Sequence, residues 1–138
     1  EPWFRSTFSN RMFERKLMHM MGFDGKIHLF EVRINDVILD ALLNGRLFLD
    51  FYADIQDGVF LRQIRAPEDW PQTTLLFLDL AKRKLAEVVR SDSSAINWSI
   101  YNQTDNELTL ITERQSTGSK GYRIRHKGGI SFKPFTSQ

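Results

Sequence analysis

The stretch TTLLFLDLAKRKLAEVVR, residues Thr73–Arg90, decides how the fold is predicted, because it can be assigned to either of two structures. Its leucine, alanine, lysine and glutamate content favours a helix. Leu76, Leu78 and Leu80 nevertheless alternate with other residues as in a strand, and Lys82–Lys84 could form the tight turn of a hairpin. Propensity on its own favours the helix, and the alternation keeps the hairpin open.

Upstream of this stretch, the spacing of apolar residues predicts helices. Asn35 is the predicted N-cap of the first helix, and Asn44-Gly45 is its predicted end. A second helix is predicted from Leu47 to Asp57, and another near Ser9–Met21. The apolar stripe of the first helix consists of Ile38, Leu39, Leu42 and Leu43.

Downstream, the pattern changes to period-two alternation, which is typical of strands. Ile96, Trp98 and Ile100 alternate with polar neighbours, as do Leu108 and Leu110. The sequence therefore predicts an α+β fold in a single domain, 1–138, with a helical part over about residues 1–65 and an antiparallel, strand-rich part over about residues 73–138.

Composition narrows the class of protein. The 138 residues suit one domain, and 41% hydrophobic residues suffice for a buried core. There are no cysteines, which excludes a disulfide framework and a cysteine nucleophile and suits a reducing, intracellular compartment. No apolar run approaches the roughly 18 residues of a membrane helix. Because the chain starts at Glu1 in the middle of a pattern, we expect it to be a fragment of a larger protein.

Charge is distributed unevenly along the chain. Residues 114–138 contain six basic residues and no acidic one, whereas residues 1–113 contain thirteen basic and seventeen acidic residues. As a strand, Tyr122–Lys127 would place Arg123, Arg125 and Lys127 on one side, about 6.6 Å apart. This spacing approximates the distance between consecutive phosphates in single-stranded nucleic acid. It predicts RNA binding with little base specificity. The alternative is an edge strand protected by charge against aggregation.

Evidence for an enzyme is weak. His19, His28 and His126 are far apart, and none has metal-ligand spacing. Asp24 with Glu31 loosely resembles a metal-dependent nuclease site, which we keep as an alternative. No catalytic residue, metal or cofactor is therefore predicted. Three carboxylates, predicted to form a solvated stripe on the second helix, are Asp50, Asp54 and Asp57.

Several segments match one known family in order. Val88–Trp98 reads VVRSDSSAINW, and Asn102–Thr104 is followed by Leu108–Ile111. Together with the upstream segments they resemble the C-terminal host-range domain of polymerase basic protein two of the orthomyxoviruses, over about residues 29 to 111. The upstream segments are Leu47-Phe48, Asp57–Val59 and Ala66-Pro67.

The chain departs from the family pattern in three places. Lys82–Lys84 replaces a glycine-rich turn, and about two residues are inserted near Ser99-Ile100. The host-range lysine position falls at Gln63, between Arg62 and Arg65. These departures point to a distant genus such as the thogotoviruses.

The resemblance implies a hairpin over 73–90, which we adopt. It also implies a non-catalytic domain of a heterotrimeric viral RNA polymerase that takes capped primers from host transcripts. The implied partners are the other viral polymerase subunits, viral RNA and an acidic host nuclear protein, with no membrane, in the host nucleus and the virion. Arg62, Gln63 and Arg65 are the implied host-facing residues. A stand-alone RNA-binding module is the alternative. The basic residues predicted to contact RNA are Lys82, Arg83, Lys84, Arg114, Lys120, Arg123, Arg125 and Lys127.

Overall fold

Antiparallel strands make up most of the protein. The computed structural model describes residues 3–8 and 11–137, and it is 62% strand and 8% helix. The predicted α+β class with an N-terminal helical cluster is therefore wrong. The chain divides into two compact units, Glu1–Asp92 (the large unit) and Ser93–Gln138 (the small unit). The expected change from helices to strands near residues 65–73 is absent, whereas the single-domain assignment stays a prediction.

The large unit is a seven-stranded sheet with one helix, and each strand pairs antiparallel with its neighbours in sequence, in the order β1 to β7. Its elements are β1 (Phe4–Phe8), β2 (Arg11–Met21), β3 (Ile27–Ile34), α1 (Val37–Leu43), β4 (Leu47–Ile55), β5 (Gly58–Ile64), a 3-10 turn (Pro67–Asp69), β6 (Thr73–Asp79) and β7 (Lys84–Ser91).

Helix α1 confirms one helical prediction, with two corrections. The N-cap is Asp36 rather than Asn35, and its carboxylate accepts hydrogen bonds from the backbone N–H groups of Ile38 and Leu39. These bonds lower the pKa of Asp36, as does Arg83, whose Nε lies 3.2 Å from Oδ2. Ile38 is exposed rather than packed, and Gly45 has the expected positive φ of +80°.

The other two predicted helices are strands. Most of the predicted helix near Ser9–Met21 is β2, while Ser9 and Asn10 lie outside the described residues. The predicted helix Leu47–Asp57 is β4 followed by a two-residue turn. In β4, Phe48 packs on one face of the sheet and Leu49 on the other. Because both faces are buried, the strand is almost continuously apolar, and this pattern also fits a helix.

The hairpin over 73–90 is confirmed. Strands β6 and β7 pair antiparallel, and the turn between them includes Lys82 and Arg83. The backbone N–H of Lys82 donates to the Asp79 carboxylate at 2.9 Å, and Arg83 has a φ of +52°. Leu76 and Leu78 are buried on one face, as the alternation predicted. Burial in a two-faced core therefore outweighs the helix propensity of this stretch.

The small unit is a four-stranded antiparallel sheet in the order β11-β10-β9-β8. Its buried apolar residues include Trp98, Leu108, Leu110 and Ile124. The strand predictions at Ile100 and over Leu108–Leu110 are thus confirmed, whereas Ile96 and Trp98, which the alternation also placed in a strand, precede β8 and lie outside any strand. Its strands are β8 (Ser99–Gln103), β9 (Glu107–Gln115), β10 (Gly118–Arg125) and β11 (Ser131–Ser137).

Candidate nucleic-acid interface

Strand β10 places its basic residues on one face of the small sheet. Arg123 lies directly opposite Lys133 of β11 and Thr109 of β9, so these three side chains share a face. Arg125, two residues further along β10, lies on the same face. Arg114 also reaches this side, where its Nη2 donates to Ser99 Oγ at 2.8 Å. Four cationic side chains therefore project from one face.

Two aromatic rings lie on the same face. The rings of Tyr101 and Phe135 have centroids 5.5 Å apart and are tilted by 40°, a separation at which aromatic pairs attract each other. Tyr101 is 63% exposed. The guanidinium carbon of Arg123 lies 5.4 Å from the Phe135 ring centroid, within cation–π range. We call this surface the basic-aromatic face; its members are Tyr101, Arg114, Arg123, Arg125, Lys133 and Phe135.

Gly121 allows the strands beneath these rings to approach closely. It pairs with Phe135 on β11 and with Ile111 on β9, where the register of β9 and β10 shifts. A Cβ atom at Gly121 would lie 1.7 Å from the carbonyl oxygen of Leu110. Any larger residue would therefore push β9 and β10 apart, and with them the two strands that carry the rings.

An open, polar concavity of about 540 Å³ borders the basic-aromatic face at the end of β10. Arg125 Nη2 is 3.8 Å from a carboxylate oxygen of Glu107 there. At this distance the carboxylate neutralises the positive charge of Arg125 only in part. His126, the next residue, is half-buried, and this burial lowers the pKa of its imidazole. The concavity can accommodate a phosphate beside Arg125. It is lined by Thr104, Asn106, Glu107, Arg125 and Lys127.

The structure brings only some of the predicted RNA-contacting residues together. Arg114, Arg123 and Arg125 share the face, whereas Lys120 lies on the opposite side of β10 because it is an odd number of residues from Arg123. Lys127 lies beyond the end of β10, in the turn before β11. Three other predicted cations, on the β6–β7 hairpin, belong to the large unit; they are Lys82, Arg83 and Lys84.

The predicted host-facing residues occupy three different environments. Arg62 is fully buried, donates from Nε to Thr73 Oγ1 at 3.0 Å, and lies 5.3 Å from the Trp70 ring centroid. Burial lowers the pKa of this guanidinium to about 9. Gln63 accepts a hydrogen bond from Arg46 at 2.7 Å. Only Arg65 is strongly exposed, in an ion pair with Asp69. Arg62 is therefore a core residue rather than a contact for a partner.

Sequence reasoning missed Tyr101, Phe135 and Lys133. The signal for Lys133 was present, since it lies in the basic C-terminal segment. The two aromatic residues are 34 positions apart in sequence, and their rings come together only because β8, β9, β10 and β11 pair successively in one sheet. A pattern search within one segment cannot detect such a pair.

The two acidic residues of the nuclease alternative lie at different places along the β2–β3 hairpin. Asp24 lies in the β2–β3 turn, where it pairs with Lys26 at 3.4 Å, and Glu31 lies on β3. Within residues 3–8 and 11–137, no group of three His, Cys, Asp or Glu side chains is placed to hold a metal ion. The predicted helical stripe of Asp50, Asp54 and Asp57 lies instead on β4 and the turn after it. In the same residues, no helix has the length and apolar character needed to cross a membrane.

No protein-family model, curated protein or solved structure matches the chain. The resemblance to polymerase basic protein two stays a prediction from the residues quoted above.

Proposed function

We propose that the basic-aromatic face of the small unit binds single-stranded nucleic acid, without a preferred sequence and without chemistry. The observation that carries the proposal is the Tyr101–Phe135 ring pair with Arg123 against it and further cations alongside. Proteins that bind single strands combine aromatic rings, on which bases stack, with cations that follow the phosphates. The face offers both on one sheet.

The geometry favours a single strand over a duplex. Bases can stack on Tyr101 only if they are unstacked from their neighbours, which is the state found in single strands and loops. The side chains of Arg123 and Arg125 leave β10 about 6.6 Å apart, close to the spacing of successive phosphates in an extended strand. Contacts to phosphates carry no sequence information, and stacking tolerates every base.

RNA is the form of nucleic acid that the resemblance implies, and we adopt it here. A role within a viral RNA polymerase, with its other subunits and an acidic host nuclear protein as partners, is a wider proposal that rests on the resemblance alone. The large unit is a sheet with a single helix, so the helical cluster that this wider proposal expected is absent from the described residues. RNA binding by the small unit does not depend on it.

The test is the affinity for a fluorescently labelled uridine oligomer of about twelve nucleotides, measured by anisotropy. Replacing Tyr101 with Ala should weaken binding by about 1–3 kcal/mol, the value of one base–aromatic stack. The fold should be unaffected, because the ring is largely exposed. Lys120→Ala, on the other side of β10, is the matched control and should have little effect. If Lys120→Ala and Arg123→Ala reduced the affinity for RNA equally, the assignment of binding to the basic-aromatic face would be wrong.

A further inference from the structure

Sulfur and imidazole side chains are concentrated at one end of the large unit. The chain has four methionines and three histidines. All four methionines lie on β2, and three of them, with two of the histidines, fall between Met18 and His28 at the end of the β2–β3 hairpin. This grouping depends on the pairing of β2 with β3 and is not apparent from the helix predicted near Ser9–Met21 or from the spacing of the histidines along the chain.

Strand pairing brings two of these side chains to the same place. Met20 of β2 lies directly opposite His28 of β3. Directly opposite residues of an antiparallel pair project from the same face, with Cβ atoms about 4.5–5.5 Å apart. At that separation a thioether and an imidazole can both reach one ion. Both side chains are exposed, Met20 to 64%, so neither is placed there to fill the core.

A third donor lies close by on the same strand. Met18 is the extra residue at the point where the β2–β3 register shifts, between Leu17 and His19, and it is exposed. Such bulges turn side chains away from the regular alternation and are frequent beside functional sites. The ring of His28 lies edge-on to Phe30, with centroids 6.4 Å apart, a contact that restricts the orientation of the imidazole.

We propose that Met20 and His28, with Met18 as a third donor, bind a soft monovalent cation, Cu(I), at the end of the β2–β3 hairpin. Neutral thioether sulfur is a soft ligand that selects Cu(I), and imidazole also binds copper. Ca²⁺ and Mg²⁺ need oxygen ligands, which this group does not supply, and Zn²⁺ sites are built from thiolate, imidazole and carboxylate ligands, of which it supplies one imidazole. Met21 packs against the buried cluster on the other face and takes no part.

Ag⁺ is the probe for the test, because it shares the soft-ligand preference of Cu(I) and does not undergo redox chemistry in solution. Titration of the whole chain, followed by calorimetry and by the methyl signals of ¹³C-labelled methionine, should show one site. The Met20 and Met18 methyl signals should shift, whereas that of Met12 should not. Met20→Leu and His28→Gln should each weaken binding at least about tenfold, since changing even an outer-shell partner costs about 10- to 100-fold.

Two variants outside the hairpin end are matched controls. Met12→Leu removes an exposed methionine elsewhere on β2, and His126→Gln removes the histidine of the small unit. Both should bind Ag⁺ like the original chain, and circular dichroism of all four variants should show the fold retained. The proposal is overturned if Ag⁺ does not bind, if a control variant loses as much affinity as Met20→Leu, or if Zn²⁺ binds as tightly as Ag⁺.

Discussion

The two units use their positive charges differently. The large unit has thirteen basic and fourteen acidic residues, and several of its arginines contact acids of the same unit. Arg33 Nε, for example, is 3.0 Å from Glu14, and Arg15 pairs with Asp50. The small unit has six basic and three acidic residues, and Arg123 lies against a ring rather than a carboxylate. Most arginines of the large unit are thus engaged within the fold, whereas the small unit has three more basic than acidic residues, an excess that can attract a polyanion.

Gly121→Ala should give the largest effect, and it tests whether the two units are distinct. The added methyl group collides with the backbone at Leu110, and we expect a loss of about 3 kcal/mol in the free energy of unfolding. Hydrogen exchange followed by NMR should show reduced protection in β8–β11 and unchanged protection in β1–β7. Ser119→Ala, on the same strand, is the control. Equal loss of protection in both units would mean that they unfold together.

A comparison of Arg62→Ala with Arg65→Ala tests the contrast between a buried arginine and an exposed one. Arg62 is among the largest fully buried side chains, so truncation should leave a cavity and an unsatisfied Thr73 and cost about 1–3 kcal/mol. Arg65 is exposed, and its pair with Asp69 should matter by less than about 0.5 kcal/mol. Urea denaturation measures both. A small effect of Arg62→Ala would restore it as a candidate for partner contact.

The combined change of Arg123, Arg125 and Lys133 to Ala should flatten the salt dependence of RNA binding. Each lost single-strand phosphate contact reduces the log–log slope by about 0.7, so the three together should reduce it by about 2. Stability should change by less than about 0.5 kcal/mol per residue. The charge-matched control replaces Lys82–Lys84 of the large unit. If that control flattens the slope equally, the hairpin also contacts RNA, as the sequence predicted.

The smallest expected effect concerns pH. Burial lowers the pKa of His126 from its ordinary value of 6.5, so the folded small unit binds this proton less readily than the unfolded chain does. The stability contributed by neutral His126 is therefore present above about 6.5 and decreases as the pH falls below that value. His126→Gln should remove this part of the pH dependence. An unchanged profile from pH 7 to 5 would contradict the assignment.

The sequence predicted the second half of the fold better than the first. Alternation around Leu108 and Leu110 marks a strand correctly, and Arg123 and Arg125 fall on one face of β10 as expected, whereas Lys127 lies beyond its end. The errors lie where the sheet is buried on both sides, since β4 lost the alternation that identifies a strand. The predicted helix end at Asn44-Gly45 is correct, whereas Asp57 lies in the turn between β4 and β5 and Gly58 is the first residue of β5.

The candidate interface was predictable in its charges but not in its aromatic part. Arg123 and Arg125 are two residues apart, so a local pattern places them together. Tyr101 and Phe135 meet only through the order of four strands, which a single segment does not encode. Arg62 was predicted to face a partner but is fully buried, because local sequence does not reveal that its strand is covered on both faces.

The strictly sequential strand order also has a consequence for how quickly the chain can fold. Each strand of both sheets pairs with its immediate neighbours in sequence, so nearly all pairing requires the closure of short loops only. Pairing between neighbours keeps partner strands closer in sequence than in sandwiches and barrels built from distant strands, and a smaller separation is associated with faster folding. The hydrogen bond from Arg83 to the Asp36 carboxylate joins residues 47 positions apart, so it is an exception to this pairing between sequence neighbours. It can form only after β6 and β7 have turned back towards α1, which places it among the last contacts made.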